Sequence, residues 1–183
     1  MTQSPETKSQ LQLFTVGHSN YPMEVFVELI ARHNIEVIAD VRSNPYSKYA
    51  THFNGHVLKL ALPERGIKYV FLGGEIGGKP KDAEFYDEEG YADYTKLAQS
   101  QKFQDGMLRL ERGLTLFRVA IMCGEEDPSG CHRHLLIARA ATERGIAVRH
   151  IRKGGELQDY EYLARLSAPE EFAMQLNLFG SEK

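Results

Sequence analysis

Apolar residues fall along this chain in short unbroken runs, separated by longer stretches in which they recur every three or four positions. Residues 11–17 (LQLFTVG) read as a first strand, closed by the turn-like His18-Ser19-Asn20. Pro22 then opens a helix, because its fixed φ suits a first turn, and Val25, Phe26, Leu29 and Ile30 follow at helical spacing. Residues 35–41 (IEVIADV) predict a second strand, 53–65 a helix stopped by Gly66, and 67–72 a third strand. The pairs Gly73-Gly74 and Gly77-Gly78 punctuate a long loop that reads as a flexible turn. A helix over 91–112, a strand over 116–122, a helix over 131–144 closed by Gly145, and a strand over 147–151 complete the pattern, with a closing helix over 156–166.

Strands that are apolar throughout are buried on both faces, and strands alternating with amphipathic helices imply a parallel sheet. The expectation is therefore one doubly wound, Rossmann-like α/β domain over residues 11–166, with about five mostly parallel strands flanked by helices. A polar tail precedes it over 1–10, and a second tail follows over 167–183. No internal repeat or linker divides it.

Composition narrows the class. The 183 residues are 42% hydrophobic and 26% charged, enough for one substantial core. No apolar run approaches the roughly 18 residues a membrane helix needs, and the polar start is unlike a secretory signal, so a cytoplasmic protein is expected. Two cysteines make no disulfide framework, and reduced thiols are the default. A net charge of -3 with a pI near 6.2 argues against coating nucleic acid by bulk electrostatics, while leaving room for a local basic cleft.

The chemistry concentrates in the segment MCGEEDPSGCHRH, residues 122–134, which holds both cysteines between the fourth strand and the next helix. In a parallel sheet the residues just beyond the strands' carboxyl ends gather on one edge. That rule brings together His18 and Ser19, Asp40 and Arg42, Cys123 and Glu125, and then Cys131, His132 and Arg133. Arg42 and Arg133 suit phosphate or carboxylate, and Asp40, Glu125 or His132 can exchange protons when tuned by their surroundings. Cys131, at a helix start beside His132 and Arg133, is the expected low-pKa thiol and nucleophile. Plainer roles stand beside these: a structural Asp40–Arg42 pair, a packed inert Cys123, and His18-Ser19 as a cap or turn. His33, His52, His56 and His150 read as surface or packing residues. The cysteines stand 131 - 123 = 8 positions apart without a second pair, so no metal site is expected from spacing.

Several of these motifs occur together in one known family. Thr15-Val16-Gly17-His18-Ser19, Asp40-Val41-Arg42 with Pro45 and Ser47, the glycine loop 72–78, Cys123-x-Glu125 with Pro128, and Cys131-His132-Arg133 resemble the domain of unknown function 488 family over about residues 13–166. The resemblance implies a shared site and identifies neither its substrate nor a cofactor. Gln175, Leu176, Leu178 and Phe179 in QLNLF resemble the short peptide by which bacterial polymerases and repair proteins dock on the DNA sliding clamp, an apolar anchor beside a hydrogen-bonding glutamine. Packing of that tail on the domain is the alternative. The expected protein is a bacterial enzyme of nucleic-acid or nucleotide metabolism, linked to DNA maintenance and acting on a phosphate-bearing substrate. The rival is a non-catalytic nucleotide or nucleic-acid binder recruited to the clamp.

Overall fold

A computed structural model describes residues 10–167. Six strands form one sheet: β1 Gln12–Gly17, β2 Val37–Asp40, β3 Lys68–Phe71, β4 Val119–Cys123, β5 Ala147–Ile151 and β6 Leu157–Asp159. Their order is β3-β2-β4-β1-β5-β6, with the first five parallel and β6 antiparallel to β5. Two sequence expectations change. The sheet has six strands, not five, and β4 lies between β2 and β1, so the order is not the Rossmann 3-2-1-4-5-6. Strand β6 is only Leu-Gln-Asp, too short for an alternating pattern, and the tight turn Arg152–Gly155 lays it on the β5 edge.

Helices cover both faces, as continuous apolar strands require. Phe14, Val16, Ile38, Ala120 and Met122 pack on one face against α1 (Met23–Ala31) and α2 (Gly55–Ala61). Leu13, Val37, Ala39, Val119 and Ile121 pack on the other against α5 (Gln101–Leu114) and the helical segment that follows β4. The handedness of crossovers explains the division. The chain runs one way through β1, β2 and β3 and returns through β4 and β5, so right-handed connections must change face at the reversal.

Helix boundaries follow local chemistry. The helix expected over 91–112 is two helices, α4 (Tyr94–Gln99) and α5. Asp93 caps the first through the amides of Thr95 and Lys96, and extended Ser100 caps the second through Phe103. Along α5, Phe103, Gly106, Met107, Leu110 and Leu114 form the buried stripe, and each large side chain contributes about 1.5–3 kcal/mol by leaving water. The glycine loop after β3 is also more ordered than a flexible turn. Gly73–Ile76 forms the helical turn α3, and Gly106 of α5 fits against Glu75 and Ile76 where a larger residue would collide. After β4 the helix begins as a π-helix over Arg133–Ala138 before α6 (Arg139–Glu143), a departure that often marks a constrained site. The last helix, α7, spans Tyr160–Ser167.

Gln175, Leu176, Leu178 and Phe179 lie outside the described residues, as do residues 1–9.

Candidate functional site

Strands β2 and β4 are neighbours, with Asp40 opposite Met122, and their following segments leave toward opposite faces of the sheet. A crevice must open where that happens. The crevice is a cavity of about 690 Å³ lined by Arg42, Ser43, Asn44 and Tyr46 after β2, by Gly78 and Lys79 after β3, by Tyr94, and by Cys123, Glu125, Gly130, Cys131 and His132 after β4.

The expected rim residues divide into two sets. Cys123, Glu125, Cys131, His132 and Arg42 reach the cavity, whereas His18, Ser19, Asp40 and Arg133 are absent from its lining. Asp40 is completely buried and fully engaged. Its Oδ1 accepts from the Arg42 amide at 3.1 Å and Arg42 Nε at 2.9 Å, and its Oδ2 accepts from Arg42 Nη2 at 2.6 Å and the Tyr69 hydroxyl at 2.9 Å. Arg42 also donates to the Phe53 carbonyl at 2.7 Å and, through Nη1, to His18 Nε2 at 2.9 Å. Of the five N–H groups of a guanidinium, one is left to face a ligand.

His18 serves this network. Nδ1 donates to the Ser19 carbonyl at 2.8 Å, Nε2 accepts from Arg42, and the ring stacks on Phe53 at 4.3 Å. Burial, reinforced by the Arg42 charge, lowers its pKa to about 4, so the imidazole is neutral at pH 7. Ser19 is exposed at φ 46°, and its amide donates to the Gly124 carbonyl at 2.8 Å. It closes a turn between the β1 and β4 loops rather than capping α1, which starts after Pro22 without a side-chain cap.

Arg133, expected to meet a phosphate, points inward instead. It is fully buried, and its guanidinium donates to Thr15 Oγ1 at 3.2 Å, to the Glu125 carbonyl at 2.8 Å and to the Glu126 carbonyl. An arginine here satisfies loop carbonyls from beneath and fixes the height of the Glu125 loop. Gly17 admits the same loop from the other side, since a Cβ there would overlap the Glu125 carbonyl.

The two thiols and His132 meet on the cavity wall. His132 Nε2 donates to the Val41 carbonyl at 2.9 Å, which leaves Nδ1 as a lone pair directed at both sulphurs, 3.8 Å from Cys123 and 3.7 Å from Cys131. Linear spacing argued against such a cluster. The fold closes the interval by returning the chain at Pro128, whose carbonyl accepts from the Cys131 amide at 2.9 Å. The order of the two thiols is also the reverse of that expected. Cys131 donates its proton toward Cys123, so Cys123 ionises far below the usual thiol range and Cys131 far above it.

Gly78 holds this geometry, because an added Cβ would press on the Cβ and ring of His132. Gly78→Ala should lower stability by about 1–3 kcal/mol through overpacking, read from a denaturant midpoint. A wild-type midpoint would show that the loop yields freely. Sequence reasoning missed Ser43, Asn44, Tyr46, Lys79 and Tyr94. The rule that located Asp40 and Arg42 also covers the residues just after them, and Lys79 is the first cation beyond the β3 glycine loop.

The sheet, the crevice and its thiol–imidazole wall describe an α/β protein built around a polar site at the strand carboxyl ends. A family model described as "Domain of unknown function DUF488" matches residues 22–140, and the chain belongs to that family. The match takes in Asp40, Arg42 and the whole 122–134 segment, and begins after His18 and Ser19. No curated protein and no solved structure matches the chain. Among the described residues no helix is long and apolar enough to cross a membrane.

Proposed function

We propose that the protein is a bacterial cytoplasmic enzyme of nucleotide or nucleic-acid metabolism that binds a phosphate-bearing substrate in the β2–β4 crevice. The observation that carries this reading is the lining of one cavity by the cations Lys79 and Arg42 together with the reactive side chains Cys123, Cys131, His132 and Glu125. Exposed Lys79 and the remaining Arg42 N–H meet phosphate oxygens, and the exposed ring of Tyr46 offers a face for a base. Glu125 is the exposed carboxylate on the wall and the group best placed to move a proton. Asp40 acts through Arg42 as a positioning residue. Recruitment to DNA through the 175–179 peptide would raise local concentration without a basic surface.

The non-catalytic rival has its own support: His18, Asp40 and Arg133, three of the groups that sequence reasoning assigned to the site, are engaged in holding the backbone. A binding and turnover panel of nucleoside mono- and triphosphates and single-stranded oligonucleotides separates the readings. Lys79→Ala should weaken binding about tenfold, the effect of one charge-assisted contact. Glu125→Gln should abolish turnover while binding persists. Binding without turnover by wild type favours the binder, and binding of nothing on the panel sinks both.

A further inference from the structure

We propose that Cys123, Cys131 and His132 hold one thiophilic divalent ion of the zinc class, through two sulphurs and one imidazole nitrogen, with a fourth position open to the cavity. The proposal deepens the reading of the crevice as a substrate site by placing an electrophile on its wall.

The geometry comes first. A tetrahedral ion about 2.3 Å from sulphur and about 2.0 Å from nitrogen separates a sulphur from a nitrogen by about 3.5 Å and two sulphurs by about 3.8 Å. The two sulphur-to-Nδ1 distances here are 3.8 and 3.7 Å, and all three donor atoms lie within 4.8 Å of one another. The vertices of a coordination tetrahedron already stand near their places.

The surroundings point the same way. The Val41 carbonyl takes the Nε2 proton of His132 and so fixes the tautomer in which Nδ1 is the donor, the usual outer partner of a metal-bound histidine. All three side chains are nearly buried and held by packing, so little order remains to be created on binding. Binding displaces to solvent the one proton that the thiol pair retains and leaves two negative ligands against one dication. The described residues supply three protein ligands, and three with an open fourth position is the pattern of reactive rather than purely structural zinc. That position borders the cavity that also holds Lys79 and Glu125.

Titration of the reduced, metal-stripped full chain with Co(II) tests this. One equivalent should give a near-ultraviolet sulphur-to-cobalt charge-transfer band and visible bands of tetrahedral intensity, both removed by one equivalent of Zn(II). Cys123→Ser and Cys131→Ser should each lose most of the charge-transfer band, and His132→Gln should weaken binding tenfold or more. Should the cysteine variants fail to fold by circular dichroism, cadmium NMR of wild type must show two thiolates. Absence of the band in folded, reduced wild type overturns the proposal, as does full cobalt uptake by a folded Cys123→Ser/Cys131→Ser variant. Nucleotide binding measured on the metal-stripped protein is independent, so its loss would speak against the substrate site and its retention without cobalt binding against the metal alone.

Discussion

Asp40→Ala should cost about 3–5 kcal/mol of stability, the largest loss expected from any polar substitution in the sheet. The carboxylate is completely buried and takes four hydrogen bonds, three of them from Arg42. Without it Arg42 is a largely buried cation with only His18 and the Phe53 carbonyl as partners, and the cavity can hydrate only its one free N–H. Replacing the pair together, as Asp40→Leu/Arg42→Met, should recover much of the loss, because removing both charges removes the desolvation cost as well. Denaturant unfolding of the single and double variants reads the difference. If the double variant is as unstable as Asp40→Ala alone, the pair holds the fold by shape and not by charge.

Acid should unfold the protein early, and the cause is a set of histidines buried in the neutral form. Burial, aided by the charge of Arg42, lowers His18 to about 4, and burial, with His134 and Arg133, lowers His150 to about 3. His134 is lowered by burial and by Arg133. These belong to a polarised chain in which Arg133 donates to Thr15, Thr15 to His150 Nδ1 at 2.8 Å, and His150 Nε2 to His134 Nδ1 at 3.1 Å. The unfolded chain protonates each imidazole near 6.5 while the fold resists. Stability is therefore fully present above about pH 6.5 and falls as pH drops through the folded values, by on the order of 3 kcal/mol per deeply lowered group by pH 4. His150→Gln should flatten the slope of unfolding free energy against pH by about one proton between pH 6 and 4. An unchanged slope would place the proton uptake elsewhere.

How far the sequence discloses this molecule depends on the length scale of each signal. Strands β1 to β5 are legible because burial on both faces leaves nearly unbroken apolar runs such as IEVIADV at residues 35–41. Strand β6 is invisible, being held by backbone pairing to β5 along an edge and not by any apolar period. The break at Ser100 is a cap inside a continuous helical pattern, so periodicity alone runs through it. Strand order lies further off still, since nothing local tells β4 to enter between β2 and β1.

The site divides in the same way. That Asp40, Arg42, Cys123 and His132 share one edge follows from parallel strands alone. Whether a side chain there looks outward or inward depends on which backbone carbonyls lie beneath it. Arg133 and Lys79 are both cations near that edge, yet three oxygens from Thr15 and the Glu125 loop draw the first into the core and leave the second exposed. Spacing likewise hid the meeting of the thiols, because a separation of eight positions says nothing of a chain that doubles back at Pro128.

The position of β1 also sets a timetable. Its two neighbours are β4 and β5, which begin only at Val119 and Ala147, so the first strand of this sheet to be synthesised has no partner in it until most of the domain has been made. Until then only β2 and β3 can pair. The nascent chain must carry the apolar residues Leu13, Phe14 and Val16 unpaired through synthesis, and the sheet closes late, in a step dominated by contacts between distant parts of the chain. Newly made protein is thereby exposed to aggregation and to chaperone capture for longer than a fold whose first strand pairs with its second.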